Sequence, residues 1–122
     1  MAEGNDNQPE VPVVRARARY VRIAPRKARL VADQVRGMSV PDAQTLLEFS
    51  TRSAARDVAK LINSAAANAE NNHDLVADDL LISELRVDQG PTLKRWRARA
   101  RGRAARVEHK TCHMSVALTP SE

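Results

Sequence analysis

Arginine occupies every second position from residue 95 to residue 103, alternating with Trp96, Ala98, Ala100, Gly102 and Ala104. In extended backbone, successive side chains point to opposite faces, so the run makes a ridge of guanidinium groups on one edge and small side chains on the other. Leu93 and Trp96 are the chief large apolar residues nearby, too few to bury the segment against a core. A hairpin by itself is marginal in water even when well made. The segment therefore predicts two strands, turning near Ala100–Gly102, that hold their shape only inside a polyanionic mould. Arginine suits folded nucleic acid because its planar fork grips phosphate bidentately and stacks on bases. The small residues between the arginines let backbone approach backbone. Trp96 has two readings, a base-stacking ring or a side chain packed at the root of the hairpin.

The charge elsewhere is segregated in the same sense. Residues 15–36 hold eight cations against one acid, Asp33, and residues 94–106 hold seven cations and no acid. The remainder holds five cations and fourteen acids, so the formal net charge of +5 resolves into +7, +7 and −9. A solvated charged face would repel itself at that density, and two basic blocks on an acidic body point to a directed polyanion surface. With 122 residues the chain fits one domain. Its hydrophobic fraction of 43% includes 20 alanines, which leaves one modest core. Tyr20, Phe49 and Trp96 are the whole aromatic complement, few walls for a small-molecule pocket. The single cysteine, Cys112, excludes a disulfide framework within the chain and fits a reducing compartment. No apolar run approaches the roughly 18–20 residues of a membrane span. The first ten residues lack the basic start and apolar stretch of a signal peptide. The expectation is a cytoplasmic protein with no membrane and no small-molecule substrate.

Residues 1–13 read as a disordered acidic tail, and residues 119–122 as a flexible C-terminus. Period-two alternation over 13–23 predicts a strand with Arg15, Arg17 and Arg19 on one face and Ala16, Ala18 and Tyr20 on the other. Pro25 opens a helix over 25–36, whose buried face is Ala28, Val31, Ala32 and Val35, with Gly37 at its end. Arg26, Lys27 and Arg29 lie where the helix dipole is already positive, an unfavourable placement unless a phosphate sits there. Ser39 caps a short helix with Val40, Ala43 and Leu47 inward. Ser50-Thr51 caps the longest helix, 52–71, with Ala54, Val58, Leu61, Ile62, Ala65 and Ala69 buried. So many alanines imply close approach between helices. A second strand is predicted at 80–88, with Leu81, Leu85 and Val87 on one face, broken or bent by Gly90-Pro91. The third runs over 105–118, where Cys112, Met114, Val116 and Leu118 alternate with His109, Thr111, His113 and Ser115. The fold class is α+β: three helices packed on a small three-stranded antiparallel sheet, with a long protruding β-hairpin at 86–108 in a single domain at 14–118.

The run from Val21 to Val31, the run Ser64 to Asn72, the run Val87 to Arg95, and Arg99 to Ala104 together span roughly residues 14–118 in one order. These four motifs resemble one family, large-ribosomal-subunit protein twenty-two of the bacterial type. The resemblance implies that the polyanion is 23S rRNA. It also implies that the globular domain sits near the polypeptide exit tunnel and that the hairpin forms part of the tunnel wall. Carried over by position, Lys94, Arg95, Arg97, Arg99, Arg101, Arg103 and Arg106 hold the hairpin in RNA, and Lys110 follows them. Arg15, Arg17, Arg19, Arg22, Arg26, Lys27 and Arg29 anchor the domain. The tip is Arg97, Ala98, Arg99, Ala100, Arg101 and Gly102. The implied partners are 23S rRNA, neighbouring large-subunit proteins and the nascent polypeptide, with no cofactor and no metal. The chain departs from the family pattern in three places. Ala98 stands where proline is common, which leaves the unbound tip less rigid. Cys112 replaces a usual serine, and Glu108 places an acid in a strand that is usually more basic.

Two other classes fit less well. An enzyme would have to use His109, Cys112 and His113, but on a strand the two histidines lie ~13 Å apart and the cysteine points oppositely. No phosphate-loop glycines, Cys-x-x-Cys pair or nucleophile elbow occurs. A helix-turn-helix regulator would place its strongest basic element on a recognition helix, not on an extended hairpin.

Overall fold

Strand β1, Val14–Val21, follows directly from the alternation in its sequence. The computed structural model describes residues 13–98 and 100–120, so the predicted N-terminal tail lies largely outside the described residues, as do Arg99 and residues 121–122. After β1 come three helices, α1 (Pro25–Val35), α2 (Val40–Glu48) and α3 (Ala54–His73). Four strands complete the chain: β2 (Leu80–Gln89), β3 (Leu93–Ala98), β4 (Ala104–His109) and β5 (Cys112–Pro120). The class is α+β, with three helices and antiparallel sheets. The order in the three-stranded sheet is β1-β5-β2, and β3 pairs with β4 in a separate two-stranded sheet.

The split of the expected third strand into β4 and β5 is a correction with a local cause. Gly90–Thr92 interrupts the chain after β2, and Lys110–Thr111 interrupts it opposite. The two breaks are tied together: Gly90 N–H donates to Thr111 O at 2.9 Å, and the Thr111 hydroxyl donates to Pro91 O. The expected hairpin at 86–108 is therefore shorter at its base, because residues 86–89 belong to β2 of the three-stranded sheet. At the other end β5 runs on through Thr119 and Pro120, which pair with Leu81 and Leu80.

Two bulges reset side-chain phase. In β2 the register shifts between Ile82 and Glu84, so Leu80 and Ile82 are buried before it and Leu85 and Val87 after it. Leu81, expected inside, is only half-buried, because the extra residue moves the preceding positions to the opposite phase. In β1 the register shifts between Ala18 and Val21, and Tyr20 takes a positive φ of 58°. Tyr20 accordingly does not share the inner face of Ala16 and Ala18 but is exposed.

The helices form as their sequences require. Pro25 sits in the first turn of α1, Arg36 caps its end, and Gly37 takes the φ of 87° that lets the chain turn away. Ser39 Oγ accepts from Asp42 N–H at 3.4 Å at the start of α2. The longest helix begins two residues later than the Ser50-Thr51 signal predicts, because Ser50 Oγ accepts from Arg52 N–H instead, one residue ahead of the Ser53 cap. It ends at Asp74 in left-handed conformation, φ 56°. The helix α3 packs on α1, α2, β1 and β5. Ala54, Ala55, Ala65, Ala66 and Ala69 line its buried stripe together with Val58, Leu61 and Ile62. Full burial of a side chain such as Ile62 contributes about 1.5–3 kcal/mol. No helix among the described residues is long and apolar enough to cross a membrane.

Candidate nucleic-acid interface

The rungs of the two-stranded sheet fix which side chains share a face. Arg95 lies opposite Val107 and Arg97 opposite Ala105, whereas Lys94, Trp96 and Ala98 lie opposite Glu108, Arg106 and Ala104. Cations therefore stand on both faces, Arg95 and Arg97 on one, Lys94 and Arg106 on the other. The single ridge expected from the alternation holds only within β3. Beyond Ala98 the backbone turns: Arg101 and Gly102 take φ values of 64° and 74°, so the extended alternation that would carry one ridge from Arg95 to Arg103 does not continue through the turn. Of the six predicted tip residues, Ala100, Arg101 and Gly102 form the turn and Arg97 and Ala98 are the last residues of β3. Arg99 lies outside the described residues.

Lys94, Arg95, Arg97, Arg101, Arg103, Arg106 and Lys110 are all exposed. Arg106 Nη2 meets Glu108 Oε2 at 3.1 Å, so the unusual acid at 108 draws one cation of the hairpin toward itself. Trp96 is 72% exposed, which removes the reading in which it packs the hairpin root.

In the domain, Arg15, Arg17, Arg19, Arg22, Arg26 and Lys27 are exposed. Arg15 and Arg17 stand on the sheet face away from the helices, opposite Ala117 and Ser115. Glu84 lies between Arg15, at 3.8 Å, and Arg86, at 3.6 Å. Such exposed pairs contribute roughly 0–1 kcal/mol and leave the guanidiniums available. Arg29 has a different local task. Its Nε and Nη2 donate to Val87 O at 3.3 and 3.1 Å, and about two turns on, at the end of α1, Arg36 donates to Leu85 O at 3.2 and 2.7 Å. Two arginines counted in the first basic block thus cover the open edge of β2.

Three cations escaped the sequence reading. Arg52, just ahead of α3, and Arg56 and Lys60, one i, i+4 step apart within its first turns, are exposed and line an open groove with Arg22. Their spacing was the available signal, masked by the acidic balance of the segments around them.

His109, Cys112 and His113 do not converge. Cys112 is fully buried, and its thiol is pushed up from its ordinary value by that burial first and by the Asp57 carboxylate second, with Arg29 opposing. His113 accepts from the backbone N–H of Tyr20. Among the described residues no group of three or more His, Cys, Asp or Glu side chains is placed to hold a metal ion.

Comparison with known proteins adds an independent line. Residues 16–119 match the family described as ribosomal protein L22p/L17e. The chain is 53% identical over 109 residues to large ribosomal subunit protein uL22 of Rubrobacter xylanophilus, covering 89% of this chain and 86% of that protein. It is 49% identical over 117 residues to the same protein of a Synechococcus strain, covering 96% and 92% of the two chains. Against that of Desulfitobacterium hafniense it is 49% identical over 104 residues, covering 85% and 91%.

Proposed function

The chain belongs to the ribosomal protein L22p/L17e family, as a bacterial large-subunit ribosomal protein of the uL22 type, and from that premise we propose that it binds 23S rRNA and serves assembly of the large subunit without catalysing a reaction. The domain lies near the polypeptide exit tunnel in this reading, in the cytoplasm. The β3–β4 hairpin protrudes into RNA to form part of the tunnel wall, where it meets the nascent polypeptide. Neighbouring subunit proteins abut the domain.

The β3–β4 sheet carries the reading. Among the described residues it shares no ladder with the three-stranded sheet, and it displays exposed cations on both faces, with almost no apolar surface to bury. A two-stranded sheet of that composition needs external packing, and packed phosphates supply both the charge and the contact. Cations on both faces suit a segment surrounded by RNA rather than laid on it. The domain cations Arg15, Arg17, Arg19, Arg22, Arg26 and Lys27 hold the body to RNA, while Arg29 stays on the Val87 carbonyl. Arg26 and Lys27 frame the start of α1, where no acid occupies the first turn.

The experiment is a salt series of binding to a 23S rRNA transcript. Replacing Arg95, Arg97, Arg99 and Arg101 by glutamine weakens binding and makes the salt dependence shallower, by about 0.7–0.9 in the log–log slope per lost phosphate contact. An unchanged slope would show that the hairpin is not the element in contact with RNA.

A further inference from the structure

The chain has three aromatic residues and none is in the core: Tyr20 is 62%, Phe49 77% and Trp96 72% exposed. In a protein with one modest core, leaving every large ring in water is unfavourable unless the rings serve a partner. Tyr20 follows Arg19 and lies two residues before Arg22, Trp96 lies between Arg95 and Arg97, and Phe49 lines a depression with Arg52. Tyr20 and Trp96 lie in regions already assigned to RNA. Phe49 does not.

Phe49 follows the last turn of α2, and the depression it lines shares Ser50, Thr51 and Arg52 with the larger groove between α2 and α3. Around that groove stand Arg22, Arg52, Arg56 and Lys60. Glu48 and Asp57 also line it, yet among the described residues no ion pair joins either acid to any of the four cations. Gln44 and Asn63 bridge the groove at 2.7 Å and fix the two helices that form its walls. The surface is open, polar and cationic, with one aromatic at its border.

We propose that this α2–α3 face is a second RNA-binding surface, which takes a single-stranded segment, its phosphates along Arg22, Arg52, Arg56 and Lys60 and one base stacked on Phe49. It rests on the RNA-binding reading above. A duplex would fit less well, because its bases are already stacked and offer no free face to the ring. An acidic peptide would satisfy the cations but leave Phe49 without a planar partner.

The test uses the full-length protein and a 23S rRNA transcript, with variants in two places. Phe49→Ala weakens binding roughly 5- to 150-fold, the value of one stacked base, while Phe49→Tyr restores most of it. Arg52→Gln, Arg56→Gln and Lys60→Gln together make the log–log salt slope shallower by about 2. All four side chains are exposed, so circular dichroism should show an unchanged fold. A benzophenone-bearing phenylalanine analogue at position 49 crosslinks to rRNA in assembled subunits. If the groove variants bind with wild-type affinity and slope while the hairpin variant does not, the groove is not an RNA site although the hairpin is. If the crosslink at 49 goes to protein, the occupant is a peptide and the proposal falls. Failure of the wild-type chain to bind the transcript would remove both readings.

Discussion

The backbone N–H of Tyr20 donates to Nδ1 of His113 at 3.1 Å, and the two rings meet edge to face with centroids 4.9 Å apart and planes at 88°. The contact sits on the β1 bulge, where Arg19 and Tyr20 oppose His113 alone. The extra residue adds twist, turns Tyr20 outward and begins the loop that presents Arg22. The histidine therefore satisfies a backbone donor that the broken ladder cannot.

His113→Phe keeps the ring contact and removes the acceptor. We expect it to cost about 0.5–1.5 kcal/mol, the net value of one hydrogen bond, in urea unfolding. His113→Ala loses the edge contact as well and should cost more. Equal stability of the phenylalanine variant and the wild type would show that water replaces Nδ1 without penalty.

The edge of β2 makes a second prediction. Gly37 N–H donates to Ile82 O and Ile82 N–H to Met38 O, so the loop after α1 covers one end, and Arg36 and Arg29 cover Leu85 O and Val87 O. Replacing Arg36 by methionine keeps the apolar stem and uncovers the carbonyl. It should cost about 1–2 kcal/mol and promote self-association through the free edge, read by urea midpoint and size-exclusion chromatography. Arg36→Lys should recover part of the loss, since one donor replaces a two-point fork.

A side chain at position 90 has no room. A Cβ on Gly90 would stand 2.7 Å from Thr111 Oγ1 and 3.3 Å from His113 Cε1. Gly90→Ala should destabilise by about 1–3 kcal/mol and loosen the junction between the two sheets, seen as faster amide exchange at position 90. Thr111→Ala removes the atom that the new methyl would strike. The double variant should therefore be more stable than the two single losses predict, and strict additivity would refute the steric account.

What the sequence made legible follows its periodicities. The stripe Ala54, Val58, Leu61, Ile62, Ala65 and Ala69 is buried as the 3.6-residue period requires, and so are Cys112, Met114, Val116 and Leu118 on the two-residue period. The errors of face at Leu81 and Tyr20 come from bulges. One inserted residue shifts side-chain phase while leaving composition untouched, and it is visible only once the partner strand is known. The cations obey the same logic. A dense run is legible because no acid interrupts it, whereas Arg52, Arg56 and Lys60 become a group only when α2 and the β1–α1 loop are folded beside them. The diversion of Arg29 to Val87 O depends on a contact 58 residues away in sequence.

Cys112 gives a pH prediction. Burial raises its thiol in the folded chain, while in the unfolded chain it ionises near ~8.5. Above that pH the unfolded chain has lost a proton that the fold retains, so this contribution to stability is complete below about pH 8.5 and declines as pH rises through the folded value. Unfolding curves between roughly pH 7 and 10 should show a decline in the wild type that Cys112→Ala lacks. Iodoacetamide should modify Cys112 only at the rate at which the chain opens.

Trp96 is the single tryptophan, exposed on the face of Lys94 and Arg106, so its fluorescence reports on the hairpin alone. In the free protein its emission should be that of an indole in water. On titration with a 23S rRNA transcript it should be quenched, because a stacked base is an efficient partner for the excited ring. Trp96→Phe should keep a planar surface and lose little affinity, whereas Trp96→Ala should lose roughly 5- to 150-fold. Raising salt should reverse the quenching along the same log–log line as the binding constant, since the ring follows the arginines into the site. Emission that stays unchanged at saturating RNA would mean that Trp96 remains in water, and that the guanidiniums of β3 engage phosphate without bringing the ring against a base.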